Sequence, residues 1–232
     1  MLKYYINFLT IMFCGYLFAQ NDVKTDSIPS KVRYGLRVGI DLSKPIRMLT
    51  ESNYKGLELV ADYRLSRKLF IAAELGNETK TVNQDGIHFE TSGTYLKTGI
   101  DLNVYNNWVG MDNLIIVGLR YGVSQHKQTL LGYNIRNTNL YWEEENQISL
   151  KTPQVYEGLN GHWIEFHFGV KAELLRNLYM GITLQMHRLL SDKAPKDFDN
   201  LFIPGFNKVL TDNNYGAGLN YTISYQLPLY KK

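Results

Sequence analysis

The chain has 232 residues, 25 basic and 22 acidic side chains, a net charge of +3, 17 tyrosines and one cysteine. So even a balance gives no basic footprint for nucleic acid, and the length suits a single domain. One cysteine, Cys14, rules out an internal disulfide framework.

Residues 1–20 read as a signal peptide. Lys3 supplies the positive start, and Ile6 to Phe18 is an apolar run broken only by Asn7, Thr10 and Gly15. About 13 apolar residues are too few to span a bilayer as a helix and suit an export signal. Cleavage is expected after Ala19 or Gln20; left uncleaved, the segment would be an N-terminal anchor. Phe13, where a lipoprotein signal needs a small residue, argues against lipidation of Cys14. Removal of this segment would leave no thiol for catalysis or metal binding. Residues 21–32, polar and carrying Pro29, read as a flexible periplasmic leader. Residues 33–232 are then the domain, and no stretch in them approaches the roughly 18 apolar residues of a membrane helix.

That domain alternates. Side chains on a strand point to opposite faces in turn, so a wall between two media shows a period of two. Tyr34 to Leu42 is apolar at every second position, with Arg37 and Asp41 opposite. Leu57 to Tyr63 sets Glu58 and Asp62 against leucines, and Leu69 to Gly76 sets Phe70 and Glu74 against Ile71 and Leu75. Gly93 to Val104 carries Tyr95, Lys97 and Asp101 on its polar face; Ile115 to Ser124 carries Arg120. Ile164 to Leu174 opposes Glu165, His167, Lys171 and Glu173 to Phe166, Phe168 and Val170. Leu178 to His187 and Tyr215 to Leu227 complete the set, the latter with Gly, Asn, Thr and Ser on its polar side. Eight such segments, an even number, predict an all-β fold: one antiparallel up-and-down transmembrane β-barrel.

A soluble calycin-like barrel alternates too, with its apolar face inward. Three features favour apolar-out. The polar faces hold glycines and charges of both signs, which suit a narrow lumen filled by side chains. Connections alternate short (64–68, 105–113, 175–177) and long (43–55, 77–92, 125–163, 187–214), as periplasmic turns and extracellular loops do. Aromatics gather near both expected rims: Tyr34, Tyr63, Phe70, Tyr105, Trp108, Tyr179 and Tyr230 at one, Tyr54, Phe89, Trp163 and Tyr215 at the other.

With its export signal ending Phe18-Ala19-Gln20, its alternating segments and its final strand Tyr215 to Tyr230, the chain resembles small OmpA- or OmpX-type outer-membrane barrels of uncharacterised Gram-negative families. The resemblance is architectural and implies fold and location only. In such families the last strand carries a terminal aromatic read by the barrel-assembly machinery; here Lys231 and Lys232 follow Tyr230.

For function, the polar faces predict a lumen charge network of Arg37, Asp41, Glu58, Asp62, Glu74, Lys97, Asp101, Arg120, Glu165, Lys171 and Glu173. A polar interior must satisfy its charges, and eight strands leave room mainly for side chains, which favours a plug over a pore. The longest link carries the expected contact residues for an extracellular or envelope partner: Tyr133, Tyr141, Trp142 and Tyr156, beside the acidic run Glu143 to Glu145. Ser191 to Asn214 is a second interaction candidate. A lipid A-modifying enzyme would need a base beside a hydroxyl, and Ser124 with His126, His187 with Ser191, and Glu144 or Glu145 are the pairings to consider. His162, Glu165 and His167 do not share one strand face, which argues against a metal site. The reading is a non-enzymatic outer-membrane barrel without metal or cofactor, touching lipid outside and a partner through its loops. A lipid A enzyme, a narrow pore and a soluble ligand-binding barrel are the alternatives.

Overall fold

A computed structural model describes residues 33–84, 86–106, 111–135, 146–195, 200–209 and 214–231. The expected signal peptide and leader lie outside them. The alternating segments form strands β1 (Arg33–Asp41), β2 (Tyr54–Arg64), β3 (Leu69–Gln84), β4 (Ile87–Asn103), β5 (Leu114–Ile135), β6 (Asn146–Leu175), β7 (Leu178–Lys193) and β10 (Tyr215–Lys231). Each pairs antiparallel with its neighbour, and β1 pairs with both β2 and β10, closing an eight-stranded barrel. A short helix α1 (Ser43–Thr50) follows β1, and a small hairpin of β8 (Phe202–Ile203) and β9 (Asn207–Lys208) lies between β7 and β10.

The barrel is inside-out. Ile100, Phe168 and Leu184 are 51%, 45% and 58% exposed, whereas Glu58, Lys97 and Glu165 are at most 1% exposed. A continuous apolar exterior is far larger than a monomer tolerates in water, and a charged interior is the reverse of a soluble calycin-like barrel. The exterior is a lipid-facing surface, and the fold is a transmembrane β-barrel.

At one end, the turn end, β2 joins β3 through Leu65–Lys68, where Leu65 N–H donates to the Leu69 carbonyl at 2.9 Å. There β6 joins β7 through Arg176 and Asn177, the latter with φ 68°. The opposite, loop end differs from the expectation of long loops. The link 77–92 is strand almost throughout, β3 and β4 pairing from Leu69↔Leu102 to Gln84↔Ile87. Most of 125–163 is also strand, β5 and β6 pairing out to Ile135↔Asn146. Sequence alternation weakens in these stretches because no lipid holds the outer face apolar there, and the inner face carries rings such as Phe89 among polar groups, so period two fades while pairing persists.

The expected aromatic rims are largely turned inward. Phe70, Tyr179, Tyr54, Phe89 and Trp163 are at most 2% exposed. Phe70 packs with Leu114 and Ile116 at the turn end; Tyr54 and Phe89 pack with Phe202 at the loop end. Rings on the polar face of a small barrel fill volume that charges cannot. Glycine opposite the ring makes that space: a Cβ on Gly122 would sit 2.2 Å from the Trp163 ring, its cross-strand neighbour.

Candidate functional site: the filled lumen

Cross-strand register sets opposite charges side by side within the barrel. Arg37 faces Asp62, Lys97 faces Glu74, and Arg120 faces Glu165. Opposite charges in direct cross-strand pairs attract, so each strand pair delivers part of the cluster already matched.

In the middle of the lumen the Arg37 Nε donates to Asp62 at 2.7 Å, and the Lys171 Nζ donates to its other oxygen at 2.8 Å. Arg120 grips Asp101 with two nitrogens, at 2.6 and 2.9 Å, and the His167 Nε2 lies 2.9 Å from the same carboxylate. A two-pronged guanidinium–carboxylate contact fixes orientation as well as distance. The Lys97 Nζ lies 2.9 Å from Glu74, 3.5 Å from Glu58 and 3.7 Å from Glu165, one cation among three carboxylates. The Tyr95 hydroxyl donates to Glu58. Between these groups remains a cavity of about 30 Å³, lined by Arg37, Asp62, Glu74, Asp101, Arg120 and His167 among others. It has room for about two water molecules.

A second layer closes the turn end. Arg33 bonds Glu173 at 2.5 and 2.8 Å, and Arg64 donates to Asp112 at 2.8 Å. The Tyr179 hydroxyl lies 3.0 Å from Asp112 and 2.8 Å from Gln226. The Arg37 and Arg64 guanidinium carbons each sit 4.8 Å from the Phe70 ring centre.

The loop end is stoppered by inward side chains of α1 and by an inserted hairpin. Asp41 accepts from the N–H and hydroxyl of Ser43 at 2.9 and 2.7 Å, ending β1 and starting α1. Pro45 in the first turn is tolerated because its missing N–H would have no partner there. Lys44 then reaches into the barrel to pair with Glu78 at 2.6 Å. Arg47 lies 4.1 Å above the Tyr54 ring and donates to Asn207 at 3.1 Å. Burial alone would raise the Glu51 carboxyl; hydrogen bonds from Lys80 and Arg47 hold it below its usual range.

The β8–β9 hairpin is the second stopper. Phe202, Ile203 and Phe206 are at most 3% exposed. Phe206 meets Trp163 edge-on at 6.0 Å and His187 at 5.7 Å, and Ile203 joins the same cluster. Gly205 has φ 81°, and a Cβ there would meet the Tyr95 ring at 2.6 Å, so the turn needs glycine on both counts.

Of the residues expected in the lumen network, Arg37, Glu58, Asp62, Glu74, Lys97, Asp101, Arg120, Glu165 and Lys171 meet in the middle layer. Glu173 instead lies at the turn end with Arg33, and Asp41 turns the chain into α1. Arg33, Arg64, Asp112, Lys44 and Glu78 join the network without having been expected in it, and Tyr54, expected at a rim, joins it through Glu78. Arg64 and Glu78 extend the polar faces of β2 and β3 by the same period of two, a signal that was present; Lys44 gives none. Of the expected loop contacts, Tyr133 lies on β5 opposite Ile87 and Ile148 and is 37% exposed. Tyr156 lies on β6 opposite Gln128. Tyr141 and Trp142, with Glu144 and Glu145, fall outside the described residues.

The catalytic pairings are not assembled. The Ser124 hydroxyl donates to the Thr94 carbonyl at 3.4 Å, while the His126 Nε2 lies 3.3 Å from the Asn200 Oδ1. His187 is buried between the Phe206 carbonyl and Glu165, and Ser191 is exposed. His162 lies beside the Tyr121 hydroxyl, away from Glu165 and His167. Among the described residues no group of three or more His, Cys, Asp or Glu side chains could hold a metal ion.

An antiparallel barrel with a lipid-type exterior and an ion-paired interior defines the class, a transmembrane β-barrel. The chain belongs to the family described as a domain of unknown function, DUF6048, whose model matches residues 1–232. No curated protein matches the sequence. Among solved structures, the chain is similar to Ail, the attachment invasion locus protein of Yersinia pestis, at 6% identity and a TM-score of 0.42, over 84% of this chain and 97% of that one. It is also similar to Acinetobacter baumannii CarO2, at 7% identity and a TM-score of 0.41, over 85% of this chain and all of that one, 100%. Both likenesses are distant and carry no role to this chain.

Proposed function

We propose that the chain is a non-enzymatic outer-membrane barrel with a closed lumen, acting through the strands that stand beyond its lipid band. The closed lumen carries this reading. Two layers of ion pairs and an inserted hairpin occupy the described lumen, and a cavity of about 30 Å³ lies among the charges of the middle layer. That is no passage for solutes, and the hydroxyl–imidazole pairings of a hydrolase are engaged elsewhere. What stays accessible is the extension of β3 to β6, with Tyr133 exposed on it. The extension suits an extracellular or envelope partner, and Tyr is well fitted to such contacts.

The apolar exterior and the export signal read in residues 1–20 support the outer membrane as the compartment. Fractionation with heat-modifiable gel migration tests it. Recovery from the outer membrane, migrating faster unheated, is expected; recovery as a soluble periplasmic protein would refute the proposal. An altered lipid A mass profile in a His126→Ala strain would favour the enzyme instead.

A further inference from the structure

The barrel wall is not strand all the way round. β1 stops at Asp41, opposite Thr222 of β10, and its last rung with β2 is Ile40↔Leu59. Both flanking strands run on toward the loop end, β2 to Tyr54 and β10 to Tyr215. Above β1 the two edges face a gap several residues tall. Helix α1 follows β1 directly and packs against both β2 and β10. The Leu42 N–H donates to the Tyr221 carbonyl at 2.6 Å, and the Tyr221 N–H donates to Asp41 at 3.2 Å. At Tyr221 the helix root thus supplies the edge bonds that the next rung of β1 would have made.

A helix satisfies its own backbone but offers no bonds to the β2 and β10 edges beside it, so it suits the wall near the headgroup boundary, where water reaches those edges, and not the hydrocarbon middle. Its side chains are divided as a wall requires. Lys44 and Arg47 turn into the mouth of the barrel, onto Glu78 and Tyr54. At 100° per residue Ile46 and Leu49 point the opposite way. They are 52% and 89% exposed, and the two strands α1 packs against carry exposed leucines as well, Leu57 on β2 and Leu219 on β10. An isolated leucine this exposed needs no explanation; a pair continuous with the lipid-facing band does.

We propose that α1 is a lipid-facing segment of the barrel wall, with Ile46 and Leu49 seated on acyl chains near the headgroup boundary of the outer leaflet. The inference rests on the outer-membrane reading above. Its occupant is lipid because the exposed pair continues the apolar exterior on both sides. Exposed Lys55, two residues from Leu57 on the same face of β2, places the change to polar surroundings just beyond it.

The test is spin-label accessibility in vesicles of phosphatidylcholine and phosphatidylglycerol. The full chain carries Cys14→Ser, with a nitroxide on Ile46→Cys or Leu49→Cys. Leu184→Cys, in the middle of the band, and Lys127→Cys, beyond it, are the controls. Ile46 and Leu49 are expected to favour oxygen over a water-soluble nickel chelate, shifted toward the Leu184 value. If either favours the chelate as Lys127 does while Leu184 favours oxygen, α1 stands in water and the inference fails alone. If Leu184 also favours the chelate, the membrane reading fails and takes the inference with it. Dipolar broadening between labels at Leu49 would put a second copy of the chain on this face and overturn the lipid assignment.

Discussion

The Gly205 N–H donates to the Glu78 Oε2 at 2.9 Å, joining the tip of the inserted hairpin to the barrel wall. The same carboxylate, with no solvent exposure, receives the Tyr54 hydroxyl at 2.7 Å and pairs with Lys44. One side chain therefore holds both stoppers, α1 and the β8–β9 hairpin.

Glu78→Ala removes that anchor and leaves the Lys44 ammonium buried without its partner. Breaking a buried pair from one side costs about 3–5 kcal/mol. A matching fall in the urea midpoint of the refolded barrel is expected; a midpoint unchanged from wild type would show that the stoppers are held elsewhere.

Gly122→Ala puts a methyl group into the Trp163 ring, and overpacking of this kind costs about 1–3 kcal/mol. Trp163→Ala alone loses a buried ring and costs about 3–5 kcal/mol. The double variant should be less destabilised than the sum, because the methyl then has space. Strict additivity in a double-mutant cycle would contradict the close approach.

Lys97→Met leaves Glu58, Glu74 and Glu165 facing one another without their shared cation. A loss of about 3–5 kcal/mol is expected on the same grounds as other broken buried pairs. Adding Glu58→Gln should recover part of it, since one repelling charge is gone. Failure of the second substitution to help, read from unfolding midpoints, would mean that Glu58 does not share the lysine.

Single-channel recording distinguishes a stoppered tube from a solid one. Wild type should pass no current steps. Deleting 201–208 removes the hairpin but leaves the layer of Glu74, Lys97, Asp101 and Arg120 intact. That variant should also stay silent, with only a vestibule opened. Steps from the deletion variant alone would make the hairpin the gate of a pore; steps from wild type would end the closed-lumen reading.

Within the apolar band, the strands and the inward sense of their charged residues were legible in the sequence. Period two is a local property, and a wall between lipid and a charged interior imposes it at every rung. Arg37, Lys97 and Arg120 could thus be placed inside before any strand was paired. Which carboxylate each would meet could not, because that depends on register between strands and on reach across the lumen.

The residue order by itself determined an eight-stranded barrel with apolar side chains outside and charges within, since alternation needs no knowledge of distant contacts. Only the tertiary structure decided what happens where alternation ends. The stretches 77–92 and 125–163 are largely paired strand because the ladder of backbone bonds between β3 and β4 and between β5 and β6 runs on past the point where strict alternation ends. Phe202, Ile203 and Phe206 enter the lumen because glycines on distant strands leave volume there, a fact no local pattern records. α1 stands in the wall because β1 ends before its neighbours, which becomes a gap only once the barrel is closed.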